Sequence, residues 1–176
     1  RIRKQDTGPE LLWRFGEIAS RKGFTYFFFG DTVDTLESLA NKLTSAFPAL
    51  KIAGCISPPF RAWTSEEDEA MVNMINLANP DVLWVGLGMP KQEQWIADHR
   101  AALKVPVVVG AGASFKFLSG AVPRAPALVC NLGFEWLWRF MSEPRRVWRR
   151  VMIDGPHFMI CVAFESLDLK KRGKTK

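Results

Sequence analysis

The chain has 176 residues, of which 48% are apolar, so it is long enough for one compact domain with an appendage and too apolar to be largely disordered. Lysine and arginine outnumber aspartate and glutamate by 24 to 18, which gives a formal net charge of +6. The longest apolar run, residues 158–164, is too short to span a bilayer. Neither a secretion signal nor the ligand spacing of a zinc site is recognisable.

Strand and helix signals alternate along the first 120 residues. Thr7-Gly8-Pro9-Glu10 has the pattern of a capping box and predicts a helix start. Ser65, with Asp68 three residues later, predicts another. The predicted strands are residues 24–29, 51–56, 81–88 and 105–109, and the predicted helices are 8–23, 36–47, 65–78 and 90–103.

Buried strands that alternate with helices predict an α/β fold with a parallel sheet covered on both faces. In such folds ligands bind beyond the carboxyl ends of the strands. The predicted strand ends are Gly30-Asp31, Ser57-Pro58, residues 86–88 and residues 110–112.

The character of the sequence changes after about residue 120. Short helical segments follow, in which tryptophan and arginine are interleaved. We therefore predict two domains, an α/β core of residues 1–122 and a helical, basic appendage of residues 123–176. Arg1 is not a methionine, and we expect further residues upstream of it.

The three cysteines are Cys55, Cys130 and Cys161, and all lie in apolar surroundings without C-x-x-C spacing. We predict small buried side chains in a reducing compartment, not disulfides or metal ligands.

Two glycine-rich segments follow predicted strands. Gly86-x-Gly88 precedes a helix that begins at Pro90, where free backbone N–H groups favour an anion. An ordinary strand-to-helix turn explains this segment equally well, because the third glycine of a dinucleotide fingerprint is absent. In the second segment, Gly110-Ala-Gly112, Ser114 either caps a short helix or donates to a ligand oxygen.

The arginine-rich segment 139–150 favours an anionic partner. Its five arginines lie close to Trp136, Trp138 and Trp148, side chains that are common at membrane interfaces. Arginine suits a diphosphate because its guanidinium group binds oxygens bidentately. A solvated arginine face is the simpler alternative.

Five blocks of the sequence, taken together and in order, resemble the WecG/TagA/CpsF glycosyltransferases (glycosyltransferase family 26). The resemblance extends from about Gly8 to Arg150. The blocks are Val85-Gly-Leu-Gly-Met-Pro-Lys-Gln-Glu-Gln-Trp-Ile96, Val109-Gly-Ala-Gly112, Arg124-Ala-Pro126, Leu132-Gly-Phe-Glu-Trp-Leu-Trp-Arg139 and Glu143-Pro-Arg-Arg-Val-Trp-Arg-Arg150.

The resemblance implies an inverting transferase with a Rossmann-like core, acting without metal or other cofactor. It implies transfer from a UDP-sugar to an undecaprenyl-diphosphate-linked saccharide, with a sugar of the N-acetylmannosamine, mannosaminuronic acid or glucose type. The appendage is then expected to dock on the anionic inner face of the cell membrane from the cytoplasm. By motif position, Arg139, Arg146 and Arg149 would bind the diphosphate, and Gln92 would be the active-site glutamine. The expected donor-binding residues are Gly30, Gly86, Gly88, Pro90, Lys91, Gln92, Gly110, Gly112 and Ser114.

The chain departs from the family pattern in two respects. Lys116 stands where the family usually has a carboxylate, which leaves the preference for sugar or nucleotide open. The family's proposed catalytic base, an N-terminal Asp, has no counterpart here, so we expect it upstream of Arg1 and the chain to be inactive alone. Asp31, at a strand end, is the alternative base.

Two other functions compete with glycosyl transfer. A basic α/β domain that binds nucleic acid or nucleotides without catalysis explains the arginines, but no recognisable nucleic-acid-binding module is present. A nicotinamide-dependent enzyme is the other alternative, but this chain lacks the third glycine of the dinucleotide-binding fingerprint. We expect no nucleic-acid partner, while self-association stays open.

Overall fold

The computed structural model describes residues 7–122 and, beyond them, residues 137–138, 141, 148, 152–153, 155–156 and 158–162. The chain divides into two compact units, Arg1–Pro123 and Arg124–Lys176.

Within residues 7–122, helices and strands alternate strictly. In chain order they are α1 (Gly8–Lys22), β1 (Thr25–Gly30), α2 (Val33–Ala46), β2 (Lys51–Ile56), α3 (Ser65–Ala78), β3 (Val82–Gly86), α4 (Lys91–His99), β4 (Val107–Gly110) and α5 (Ser114–Ser119).

The four strands form one parallel sheet in the order β2-β1-β3-β4. This confirms the predicted Rossmann-like α/β fold. The central strands β1 and β3 are almost completely buried, as their unbroken apolar sequences predict. The prediction that β4 is a buried strand is wrong. It is an edge strand, so its valines are covered less well, and Val107 is 45% exposed.

Helices pack on both faces of the sheet because successive side chains of β1 point to opposite sides. Tyr26 and Phe28 belong to a core cluster that includes buried residues of α1, α2 and α5. Phe27 and Phe29 belong to a second cluster that includes buried residues of α3 and α4. The two aromatic pairs of one strand therefore anchor both helical layers.

Capping boxes begin two of the helices. The Glu10 carboxylate accepts a hydrogen bond from the Thr7 N–H at 3.3 Å at the start of α1, as predicted. The predicted cap of α3 was one residue too late. The N-cap is Thr64, whose N–H donates to Glu67 Oε2 at 3.0 Å. A glutamate three residues after the cap reaches back to it, as the favoured form of this motif requires.

Asp68 joins α3 to α4. Trp95 Nε1 donates to Asp68 Oδ1 at 2.9 Å, and His99 Nε2 lies 2.9 Å from Asp68 Oδ2. The Trp95 and His99 rings stack at a centroid distance of 4.7 Å. α4 ends at His99, four residues earlier than predicted.

The amino ends of the two central strands are joined by a reciprocal side-chain contact. Thr25 donates to Asp81 Oδ2 from its backbone N–H at 2.7 Å and from its hydroxyl at 2.9 Å. The Asp81 N–H donates to Thr25 Oγ1 at 3.0 Å. This contact holds β1 and β3 in register at their amino ends. The glycine-rich turns lie at the opposite, carboxyl ends of the strands.

The prediction that the cysteines are buried is wrong for Cys55 and Cys161, whose side chains are exposed. Cys55 lies on the edge strand β2, where every second residue faces outward. Cys130 lies outside the described residues.

The described residues of the second unit are helical. Their large apolar side chains are mostly exposed, with exposed fractions from 39% for Leu137 to 74% for Met141. The exposed side chains are Leu137, Met141, Trp148, Met152, Ile153, Phe158, Met159, Ile160 and Val162.

Candidate functional site

The chain changes direction across the sheet between β1 and β3. β2 lies on one side of β1, and the connection through α3 then crosses back to β3 on the other side. Ligands of open α/β sheets bind in the crevice that opens at such a point, beyond the carboxyl ends of the strands. The last registered pair of these strands is Gly30 with Gly86, so the crevice begins there.

The two strand ends meet backbone to backbone. A Cβ atom on Gly30 would lie 2.5 Å from the carbonyl carbon of Gly86, and Gly30 has a φ of +120°. Only glycine fits this approach. The next residue, Asp31, also has a positive φ, at 59°, which turns the chain away from the sheet.

The first glycine turn, residues 86–88, is open at its end. A Cβ on Gly86 would lie 2.4 Å from the Phe115 ring, whereas a Cβ on Gly88 would have no atom of the described residues within 4 Å. Gly88 has a φ of +83°, and a cis peptide bond joins Met89 to Pro90. The open backbone at Gly88 leaves space for a ligand.

The second glycine turn, residues 110–112, is filled by a side chain. A Cβ on Gly110 would lie 2.9 Å from Gln92 Nε2, and one on Gly112 would lie 3.5 Å from Gln92 Oε1. The Gly112 N–H donates to Gln92 Oε1 at 2.9 Å, and the Ala111 N–H donates to Val85 O at 2.7 Å. Both N–H groups therefore bind the protein itself.

Gln92 is 5% exposed and bridges α4 to the second glycine turn. Besides accepting from Gly112, its amide donates through Nε2 to Glu93 Oε1 at 2.8 Å. The family resemblance implied that Gln92 is an active-site residue, and in the structure its side chain supports the second glycine turn. Its part in catalysis stays a prediction.

Other predicted donor-site residues differ in exposure. Pro90 and Lys91 are exposed at the start of α4. Ser114 is 3% exposed and packs against α1, since a Cβ on Gly8 would lie 2.6 Å from its Oγ. The alternative that Ser114 caps a helix is wrong, because Ala113 is the N-cap of α5.

Asp31 and Lys116 come together at the crevice, a pairing that the sequence analysis missed. Lys116 Nζ lies 4.0 Å from Asp31 Oδ1. Asp31 Oδ1 also accepts from the Thr32 N–H at 2.9 Å, and the Asp31 carbonyl accepts from Ser57 Oγ at 2.6 Å. The available signal was a lysine in an otherwise small and apolar segment, but its partner is 85 positions away in the sequence.

The predicted diphosphate ligands Arg139, Arg146 and Arg149 lie outside the described residues. In the part of the chain that the structure describes, no three His, Cys, Asp or Glu side chains are grouped so that they could hold a metal ion. Independence from metal stays a prediction. No described helix is both long and apolar enough to cross a membrane.

Comparison with known proteins identifies a family and relatives that match nearly the full length of this chain. The model of the glycosyl transferase WecG/TagA/CpsF family matches residues 1–172. A Bacillus subtilis (strain 168) protein, N-acetylglucosaminyldiphosphoundecaprenol N-acetyl-beta-D-mannosaminyltransferase, is 32% identical over 170 residues, which are 97% of this chain. A protein of the same name from Staphylococcus aureus (strain MW2) is 32% identical over 164 residues, or 93% of this chain. The chain spans 62% of the length of each of these two relatives.

Proposed function

This chain belongs to the WecG/TagA/CpsF family of glycosyltransferases, and on that premise we propose that it carries the donor site of an enzyme that moves a sugar from a UDP-sugar to a lipid-linked acceptor. The observation that carries the proposal is the crevice beyond Gly30 and Gly86. It lies at the point of the sheet where such folds bind nucleotides, and the open backbone at Gly88 borders it.

The proposed reaction exchanges one bond at the anomeric carbon of the sugar. The acceptor hydroxyl oxygen forms a bond to this carbon, the bond to the β-phosphate oxygen of UDP breaks, and the hydroxyl proton passes to a base. Inversion at the anomeric carbon follows from attack opposite to the leaving group. Charge on the departing UDP needs compensation, which we assign to Arg139, Arg146 and Arg149 without a metal ion.

The acceptor base is the second requirement. Asp31 is a carboxylate at the crevice, but its Oδ1 already accepts from the Thr32 N–H and lies near Lys116. We therefore propose that the base comes from the part of the enzyme that the longer relatives carry outside the matched segment. In that case the 176-residue chain binds the donor but transfers no sugar.

The names of the relatives suggest the substrates. Both relatives are named as transferring N-acetyl-beta-D-mannosamine to N-acetylglucosaminyldiphosphoundecaprenol. We propose an undecaprenyl-diphosphate-linked acceptor for this enzyme as well, and a donor sugar related to N-acetylmannosamine.

The second unit supports a membrane contact. Phe158, Met159 and Ile160 are consecutive, and each is more than half exposed. Apolar side chains combined with a basic segment are the two signals that peripheral attachment needs. We propose that this unit holds the enzyme on the cytoplasmic face of the membrane, where its acceptor is anchored.

Calorimetric titration of the chain with UDP, ADP and NAD tests the donor assignment. We expect UDP to bind most tightly. A preference for NAD would contradict the assignment, and a preference for a single-stranded oligonucleotide over all three would favour the nucleic-acid alternative.

Flotation with vesicles that contain anionic lipid tests the membrane contact. We expect binding that weakens as salt is raised and that is lost when the chain is truncated after Pro126. Binding that survives this truncation would place the contact on the α/β unit.

In the full-length enzyme, changing Arg139, Arg146 or Arg149 to Ala tests the charge compensation. We expect turnover to fall by about tenfold to a thousandfold, as for other pre-organised charge contacts. Unchanged turnover would remove these arginines from the reaction.

A further inference from the structure

The Asp31–Lys116 pair has features of a binding element. The Asp31 side chain is 6% exposed, and its position is fixed by hydrogen bonds to both its carboxylate and its carbonyl. An acidic group held in this way provides a fixed negative charge at the carboxyl end of β1.

Lys116 lies near this charge but makes no direct hydrogen bond to it. The 4.0 Å between Nζ and Asp31 Oδ1 is an ion-pair distance, longer than the roughly 2.7–2.9 Å of a direct charged hydrogen bond. Within the described part of the chain, no hydrogen bond from Lys116 Nζ is found. No hydrogen bond to a described residue therefore occupies its donors, which can bind an oxygen of another molecule.

The partial burial of the Lys116 side chain favours a functional role for its charge. The side chain is 30% exposed, so its stem is mostly covered while the ammonium group still reaches solvent. A pair of this kind is weak grounds for stability, because removing two charges from water offsets most of their attraction.

The backbone places Lys116 beside the crevice. Its neighbour Phe115 is completely buried and fills the space next to Gly86, the residue that pairs with Gly30 where the crevice begins. Asp31 directly follows Gly30. The pair therefore connects the crevice end of β1 to α5.

We propose that Lys116 binds an anionic oxygen of the donor and that Asp31 is the residue that positions it. This inference deepens the proposed function and rests on it. The oxygen has two chemical sources, the diphosphate of the nucleotide or a carboxylate on the sugar. The lysine would select for donors that carry the charge.

Calorimetry with four ligands separates these sources. The probes are uridine, UDP, UDP-glucose and UDP-glucuronic acid, titrated into the wild-type chain and the Lys116→Met variant. Methionine keeps an unbranched stem of similar length and removes the charge. Lys51→Met is the matched control, because Lys51 lies at the amino end of β2, away from the carboxyl ends where the crevice opens.

If the lysine binds the diphosphate, Lys116→Met weakens UDP and both UDP-sugars by about tenfold to a hundredfold and leaves uridine unchanged. If it binds the sugar carboxylate, only UDP-glucuronic acid weakens by that factor. Lys51→Met should bind all four ligands as the wild type does. Asp31→Asn should weaken the same ligands as Lys116→Met by a smaller factor, since the lysine is present but no longer held.

Equal affinities of wild type and Lys116→Met for all four ligands would overturn the inference and leave the proposed function intact. Failure of the wild-type chain to bind UDP would overturn both. If Lys116→Met does not fold, Lys116→Arg retains the positive charge and Lys116→Gln removes it. The inference then requires that only Lys116→Gln loses the affected ligands.

Discussion

The two glycine turns have similar sequences, but different groups occupy the space beside their glycines. At the second turn the side chain of Gln92 occupies the space beside both Gly110 and Gly112 and accepts the hydrogen bond of the Gly112 N–H. At the first turn Phe115 occupies the space beside Gly86, and nothing described lies within 4 Å of a Cβ on Gly88.

This difference shows that a glycine after a strand has two distinct uses. At Gly86, Gly110 and Gly112 the absent side chain makes room for another part of the protein. At Gly88 it leaves room outside the protein. A glycine pattern at a strand end predicts close approach, but the identity of the approaching group depends on residues elsewhere in the chain.

Among alanine substitutions in the two glycine turns, Gly86→Ala should have the largest effect on stability. The new Cβ would lie 2.4 Å from the ring of Phe115, which is fully buried and packs edge-on against Phe28 at a centroid distance of 5.5 Å. Because the ring has little space to move, we expect a loss of more than about 3 kcal/mol, beyond the usual cost of overpacking. Urea unfolding measures it, and Phe115→Leu in the same chain should recover part of the loss. An unchanged unfolding midpoint would show that this half of the first turn is not closed.

Gly110→Ala should have an intermediate effect that depends on Gln92. The new Cβ would lie 2.9 Å from Gln92 Nε2, so we expect a loss of up to about 3 kcal/mol. Gln92→Ala alone leaves the Gly112 N–H without its acceptor and should cost about 1–3 kcal/mol.

The double variant Gly110→Ala/Gln92→Ala tests the coupling between the two positions. Its loss should be smaller than the sum of the single losses, because the clash disappears with the glutamine. Additive losses would mean that Gln92 does not fill the second turn.

Gly88→Ala should have the smallest effect on stability. We expect a cost of about 1–2 kcal/mol from the positive φ of +83°, since no described neighbour opposes the Cβ. Gly23→Ala is the matched control. Gly23 has a φ of +76°, no described atom lies within 4 Å of a Cβ there, and it precedes the amino end of β1, far from the crevice. We expect similar thermal shifts for both variants and weaker UDP binding for Gly88→Ala alone. Equal UDP affinities would mean that no ligand approaches the first turn.

The sequence predicted the strands, the parallel sheet and the places where the glycine turns lie. Apolar runs followed by glycine are local signals, and they placed β2 without error and the other strands to within a few residues. The cap of α3 was also within reach, since Thr64 with Glu67 fits the capping rule better than Ser65 with Asp68.

The contents of the site were beyond such local signals. Gln92 reaches Gly112 over 20 positions, and Lys116 reaches Asp31 over 85. Each contact depends on how separate helices pack onto the sheet, which a pattern in one segment does not specify. The exposure of β4 had a similar origin, because a run of valines does not show whether its strand is central or at an edge.

The contact between Thr25 and Asp81 also bears on the order of events during synthesis. These residues are 56 positions apart and β2 lies between them in the sequence, so β1 and β2 are both complete before β3 has been made. At synthesis rates of about 5–20 residues per second, the edge of β1 that pairs with β3 has its backbone groups unpaired for several seconds. This edge is the stretch Tyr26–Gly30, among the most apolar of the chain, and during that interval it is open to any other nascent strand.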